Sequence, residues 1–539
     1  MKTTMHVLLL ATMLTATGVM AGCSSNNNES ESLQVAGSEK QQNADEASSA
    51  STNDSGSSYL ASDKPLKLTV HMGTKDSGVF KNDWPIFVKA AALTNITLEG
   101  TLPSTVTDFT ETFNTVMASN NLPDIMEALD TNFLKYGKEG AYLKLNDLID
   151  QYAPHLKKFL DDNPDVRSAS SDKEGNIWFI PFIQDGLTQK GWFIREDWLS
   201  KLGLQEPKTV EELHNVLTAF VTKDPNGNGQ KDEVGYFSRD TNKGLEGLLA
   251  LWNAYLGYRV FDDKVIYGPL QSEFGTALEN MAKWYKEGLI DKEIFTRGVK
   301  ARDILLAENT GGLTHDYFAS TGNYNDQLAS KIQGFQFNPM LPPADVNGVV
   351  KEPTRRPRAT NHGWGISYSN PDPVATIKYF DFWFTEEGRR MANFGIEGDT
   401  YTMVDGKPIF SDKVMKSDMA PVEMIRATGA QSEFGFQQDY SYEEQWTTPV
   451  TVEGIKKYTD NNVFMDLYPT LKFTDEEQKE IEKVAVKVET YVTETMQKWL
   501  LGGESVNDEA FVKELKRMGA DHLVEINQAA YDRYKAELK

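Results

Sequence analysis

Apolar and polar residues alternate through residues 66–72 (Leu-Lys-Leu-Thr-Val-His-Met), the period of a half-buried strand. Folded sequence is expected to begin there. Ahead of it, residues 24–64 are rich in Ser, Asn, Glu, Gln and Ala, with almost no large apolar side chain. Such a stretch cannot bury enough surface to offset its chain entropy, and a flexible tether is predicted. Beyond residue 72 the period keeps changing. Residues 146–159 carry helical spacing interrupted at Pro154, while 177–180, 192–194, 234–237 and 311–314 read as strands. Thr209-Val210-Glu211-Glu212 opens a helix to about Phe220 with a capping-box pattern. A second helix over 273–287 stops at Gly288, and 475–539 is helical with a break near Gly502-Gly503. Strands interleaved with helices predict an α/β fold. No internal repeat is evident.

The chain has 539 residues, more than one hydrophobic core usually fills, so two lobes are expected. Its formal net charge of −24 argues against nucleic-acid binding and favours a soluble monomer. A single cysteine excludes an intrachain disulfide. Lys2 precedes an apolar run of about 14 residues, too short to span a bilayer comfortably, which ends in Met20-Ala21-Gly22-Cys23. Residues 1–22 therefore read as a signal peptide. The last four residues resemble a bacterial lipobox, with Met20 where Leu is usual. Cys23 is then the lipidated residue, and residues 23–64 form the tether at the extracytoplasmic face of the cell membrane. More than one acyl chain would make that anchor stable.

The sharpest chemical signal is the segment Asp224-Pro-Asn-Gly-Asn-Gly-Gln-Lys-Asp-Glu233. Oxygen-bearing side chains stand at positions 1, 3, 5 and 9, with Gly229 at position 6, the spacing of an EF-hand calcium loop. Gln230 offers a backbone carbonyl. Position 12 is Gly235 rather than Glu, so Glu233 at position 10 is the candidate for the missing carboxylate. The competing reading is a polar turn without metal. There is no HExxH pair, no GxSxG elbow and no Walker-type loop.

Several segments together resemble extracellular solute-binding proteins of family 1. They are residues 194–204 (Ile-Arg-Glu-Asp-Trp-Leu-Ser-Lys-Leu-Gly-Leu), Pro207-Lys208-Thr209, the 224–233 loop, 121–125 (Asn-Leu-Pro-Asp-Ile), 284–291, 395–401 and 528–534. The nearest branch is the large ABC importer lipoproteins similar to alginate-oligosaccharide binders and LipO/YtcQ-type proteins. The resemblance implies a two-lobed, periplasmic-binding-protein-like (type II) fold with a hinge and a central cleft. The lobes are expected over 65–183 with 305–370, and 184–304 with 371–539. It implies an oligosaccharide ligand, an ABC permease as partner, no catalysis, and structural calcium held by Asp224, Asn226, Asn228, Gln230, Asp232 and Glu233.

Sugars present apolar C–H faces and a rim of hydroxyls, so aromatic residues beside polar ones in loop-like sequence are the candidates. These are Trp84, Gln184, Asp185, Trp252 with Tyr255 (expected one helical turn apart), Asp316, Tyr317, Trp364 and Glu397. For each aromatic the competing reading is core packing. Arg355, Arg356 and Arg358 read as a solvated basic loop, or second as readers of an anionic sugar. The alternative functions are an extracellular glycan-active enzyme and a surface receptor for signalling.

Overall fold

The computed structural model describes residues 59–74, 78–106, 108–119 and 121–537. The signal peptide, Cys23 and most of the tether lie outside them. The last residues assigned to the tether are docked. Ala61 is buried and its N–H donates to the Thr94 carbonyl, and Tyr59 Oη donates to Asp381 Oδ2 at 2.5 Å.

Nine strands build two sheets. They are β1 (Leu66–His71), β2 (Ile96–Gly100), β3 (Ile125–Leu129), β4 (Ile180–Ile183), β5 (Lys190–Arg195), β6 (Val234–Phe237), β7 (Gly311–Tyr317), β8 (Phe337–Met340) and β9 (Ala359–Ile366). The first sheet runs β2-β1-β3-β9-β4, with β1 parallel to β2 and β3, and β9 antiparallel to both its neighbours. The second runs β8-β5-β7-β6, with only β7 and β6 parallel.

Both sheets are covered on both faces, which explains their nearly continuous apolar runs. In the first, Leu68, Val70, Ile125 and Trp364 face a core with Ile377, Phe380, Trp383 and Phe434. Met126 and Ala128 face the opposite way, onto Phe113, Phe133 and Phe179. In the second, Trp192 and Ile194 pack with Leu217, Phe274, Met281, Met496 and Trp499, and the intervening Phe193 packs with Leu306, Phe318 and Tyr458. The side-chain period of two thus sorts each strand between two cores.

The expected helices form at Val210–Thr222, Ser272–Glu287, Asp475–Leu500, Asp508–Met518 and Ala520–Glu537. Gly288 caps the second in the left-handed region at φ 84°. Thr209 caps the first by accepting the Glu212 N–H, but Glu212 reaches back to the Lys208 N–H instead of to Thr209's own. The strand expected at 177–180 starts only at Ile180, because the Ile177 N–H is taken by the Asn146 side chain. Among the described residues no helix is long and apolar enough to cross a membrane.

The lobe boundaries differ from those expected. β7 and β8 belong to the second sheet, and the helices Pro373–Phe382 and Glu386–Phe394, with residues 425–442, pack on the first. Residues 305–340 and 373–442 therefore exchange lobes relative to the sequence reading. Strands buried on both faces carry no mark of which sheet they will join.

Three crossings link the lobes: residues 184–189, residues 341–358, and the passage from Trp446 to the helix Pro449–Asp460. The last helix packs so closely on the second lobe that a Cβ at Gly454 would meet Pro339 at 2.2 Å.

Candidate functional site

The crossings place the site. β4 ends at Ile183 and β5 begins at Lys190, so the carboxyl end of β4 and the amino end of β5 lie on either side of one short connection. β8 and β9 are related in the same way. In the first sheet, β1, β2 and β3 end on that edge. In the second, β6, β7 and β8 do. Strand ends of two α/β sheets facing each other across a hinge form the usual ligand crevice of open sheets.

Two cavities open along the first edge. One of about 510 Å³ lies over the ends of β1 and β2, lined by Phe80, Lys81, Asn82, Asp83, Gly100 and Ser104. Another of about 330 Å³ is bounded by Asp130, Ala169, Pro357, Thr360, Asn361 and, from the second lobe, Thr470. Between them lies Glu127 of β3, which is 6% exposed, with Oε2 accepting the Gly73 N–H at 2.9 Å. Burial pushes its carboxyl up to about 8; the Gly73 N–H opposes this and the Glu433 carboxylate adds to it. Glu433 is held at φ 60°, a conformation uncommon outside glycine.

On the second edge Asp316, 2% exposed, accepts Arg239 Nε at 3.0 and 2.9 Å and Arg302 Nη1 at 3.0 Å. Lys190 donates to Asp240 at 2.5 Å. The Lys190 ammonium and the Arg239 guanidinium lie 5.0 and 5.2 Å from the Tyr317 ring centre. Tyr317 is exposed at the end of β7. Asp316 and Tyr317 were candidates from sequence, whereas Arg239, Arg302 and Lys190 were missed. Arg239 is 77 residues from Asp316, and Lys190 faces Tyr317 only through the β5–β7 register.

The other candidates stand elsewhere. Trp364 is fully buried and stacks on Phe380, with centroids 4.5 Å apart and planes at 8°. Trp84 is buried between Phe80 and Phe87. Trp252 meets Trp284 edge to face at 5.1 Å inside the second lobe. Tyr255 is buried, with Oη donating to Asn253 Oδ1 at 3.0 Å and the Arg259 guanidinium 5.3 Å from its ring centre. These four rings have no free face for a sugar. Trp252 and Tyr255 do not share a helical face either, because residues 251–257 turn instead of forming a helix.

Asp185 serves the hinge: Oδ1 accepts the Gly186 N–H at 2.8 Å and Oδ2 the Tyr440 N–H at 3.0 Å. Gln184 donates its backbone N–H to the Arg358 carbonyl. Arg356 ties the first two crossings together and holds the helix leading into the third, donating to the Asp185 carbonyl and to Glu443, with its own N–H on the Leu187 carbonyl. Arg358 pairs with Asp165 at 3.0 Å and Arg355 with Asp466 at 3.7 Å. The three arginines are thus ion-paired, and Arg356 is partly buried, its side chain 12% exposed, rather than part of a solvated loop. Glu397 is exposed, at the turn leading to the hairpin of Tyr401–Val404 and Lys407–Phe410.

The 224–233 loop leaves a helix and enters β6. Asp224 Oδ1 accepts the N–H groups of Gly227 and Asn228, and Oδ2 that of Gly229. Asn226 and Asn228 donate side-chain N–H to the two Asp232 oxygens at 3.1 and 2.9 Å. Gly227 and Gly229, at φ 76° and 75°, provide the left-handed turns. Glu233 Oε1 is buried with no partner, and burial, with the charges of Asp232 and Asp224, raises its carboxyl above the usual range. Among the described residues no three His, Cys, Asp or Glu side chains stand in ready metal-binding array. The donor set still fits a hard cation. It comprises three carboxylates, one of which (Glu233) has an orphaned oxygen, and two amide oxygens whose orientation is exchangeable with nitrogen.

Residues 94–390, more than half the chain, match the family model for bacterial extracellular solute-binding proteins. The fructooligosaccharide ABC transporter substrate-binding protein FusA of Streptococcus pneumoniae is 26% identical over 465 residues, covering 80% of this chain and 83% of that protein. Lipoprotein LipO of Bacillus subtilis is 27% identical over 316 residues, 55% of this chain and 60% of that protein. The crystal structure of the alginate-binding protein AlgQ2 without calcium ion superposes with a TM-score of 0.78 at 39% identity, over 88% of this chain and 99% of that one. With its two α/β lobes and hinged crevice, this chain belongs to the bacterial extracellular solute-binding protein family.

Proposed function

We propose that this protein captures an oligosaccharide in the crevice between its lobes and presents it to the permease of an ABC-type importer. The observation that carries the reading is the opposition of two strand-end edges across three crossings, which suits closure by hinge motion around a ligand. The relatives support the ligand class: FusA is described for fructooligosaccharides and AlgQ2 for alginate. On the first lobe Lys81, Asn82, Asp130, Thr360 and Asn361 offer polar groups, and on the second Tyr317 offers a ring with Arg239 and Lys190 beside it. Closure around the ligand is the signal that the permease reads, and no bond is broken. Lipid on Cys23 holds the protein at the outer face of the membrane as a monomer, as the LipO likeness supports.

Calcium belongs to the 224–233 loop, held by Asp224, Asn226, Asn228, the Gln230 carbonyl, Asp232 and Glu233. Its role there is structural. It would offset two of the three carboxylate charges and give the orphaned Glu233 oxygen a partner. Titration calorimetry with a panel of neutral and acidic oligosaccharides, followed by chromatography of the recovered sugar, tests the reading. Micromolar binding of intact sugar is expected. Absence of binding across the panel, or steady cleavage by catalytic amounts of protein, would overturn it.

A further inference from the structure

The lobes also touch away from their three crossings. Between the helices Pro449–Asp460 and Asp475–Leu500, residues 463–474 form no regular helix or strand. This strap is fastened to its own lobe and to the 341–358 crossing. The Val463 carbonyl and the Met465 N–H bond the Glu352 backbone, Tyr468 stacks on Tyr258 with its hydroxyl on Asn527, and Arg533 donates to the Lys472 carbonyl. The strap's far end meets the first lobe. Lys138, the last residue of the helix Asp130–Lys138, donates to Asp475 Oδ1 at 2.7 Å. Lys138 and, more weakly, Lys173 hold the Asp475 carboxyl below the usual carboxylate range. Asp172 and Glu174 stand near Lys138 on the first lobe; on the second, Lys479 lies near Asp475, and Glu477 is paired with Arg533. Thr470 in the same strap bounds the cavity that Asp130 and Pro357 also line.

The crevice is open in this structure. The cavity of about 510 Å³ is walled by first-lobe residues alone, and Tyr317 on the opposite edge is 38% exposed. The contact between Lys138 and Asp475 belongs to that open arrangement. We propose that the strap is a latch: the Lys138–Asp475 ion pair holds the lobes apart, and it breaks when they close on a sugar. This rests on the oligosaccharide reading, which supplies what the lobes close on. The pivot lies where the second crossing enters the first lobe, at Pro357 beside Asp130. Lys138 stands at the other end of that helix, about 12 Å away at about 1.5 Å per residue. A closure of about 20° moves a point at that distance by about 4 Å, enough to part an ion pair. Both side chains are exposed to water, at 38% and 57%, so water replaces the contact readily and the latch is weak enough to open.

The test is calorimetry on the full mature chain with the neutral trisaccharide kestose, and with maltotriose and a mannuronate trisaccharide where kestose does not bind. Lys138→Met and Asp475→Asn should each tighten binding by about two- to fivefold, because the open state loses its catch. A substitution that merely damaged the fold would weaken binding instead. The two changes together should add nothing beyond either alone, since each removes the whole pair. With a neutral sugar, rising salt should tighten binding to the unaltered protein and leave the variants nearly unmoved. A second measurement locks the latch. In a chain carrying Cys23→Ala, Lys138→Cys and Asp475→Cys, a short bismaleimide joins the two positions. The joined protein should bind at least tenfold more weakly than the same chain capped with a monofunctional maleimide, and melting curves report that both are folded. Equal affinity of joined and capped protein overturns the latch while leaving the oligosaccharide reading intact. So do Lys138→Met and Asp475→Asn variants that fold and bind no more tightly than the parent. If none of these sugars nor any other glycan binds, the parent reading has failed and the latch with it.

Discussion

Replacing Glu127 by glutamine isolates what a buried carboxyl does to stability. Glu127 is 6% exposed, faces Glu433, and has a carboxyl pushed up to about 8 by burial. The unfolded chain titrates near 4.5. Between those values the folded state holds a proton that the unfolded state has released, so stability falls as pH rises through this window. A shift from 4.5 to about 8 corresponds to about 5 kcal/mol in all, at 1.36 kcal/mol per pH unit, and about 3 kcal/mol of it has been lost by pH 7. Glutamine keeps an oxygen for the Gly73 N–H and cannot ionise. Urea unfolding of both proteins at pH 5, 7 and 9 should show the variant gaining on the parent by several kcal/mol between the extremes. Titrating groups that do not interact with Glu127 cancel in that difference, and only its neighbour Glu433 does not. Parallel stability curves would refute the assignment of a protonated Glu127.

His71 works on the acid side. It is fully buried beside Phe109 and Phe113 with neither ring nitrogen bonded, and burial lowers its pKa from 6.5 to about 4. Stability should fall by up to about 3 kcal/mol as pH drops from 6.5 to 4, and His71→Leu should flatten that limb in the same urea series. Chelator should lower the melting temperature and calcium restore it, by about 2.7 kcal/mol at a hundredfold excess over the dissociation constant. Asp224→Ala should lose the response, and a metal analysis finding no calcium in calcium-prepared protein would rule the site out. Trp364→Ala should cost about 3–5 kcal/mol in unfolding experiments, because the ring is core; unchanged stability would mean that the stack on Phe380 contributes nothing. Cys23→Ala should move the protein from the membrane to the soluble fraction on cell fractionation, and unaltered retention would disprove lipid attachment.

The local elements were legible because their causes are local. The alternation at 66–72 became β1, Gly288 stopped its helix in the left-handed region, and the loop of 224–233 lies between a helix and a strand as its flanks implied. The family, too, was written in short motifs spread along the chain. The site was not. Trp252 and Trp364 have polar or glycine neighbours in sequence, yet both lie in cores, because a tryptophan's surroundings are set by which strand or helix packs opposite it. The charged site reads the other way. Asp316 was visible, but its meaning depends on Arg239 and Arg302, brought to it by the pairing of β6 with β7 and by a helix laid beneath them. Side-chain periodicity and capping act over a few residues and are carried by sequence. Which lobe takes β7 and β8, which rings keep a free face, and which charges meet are decided between segments far apart in the chain. Only the folded arrangement brings those segments together.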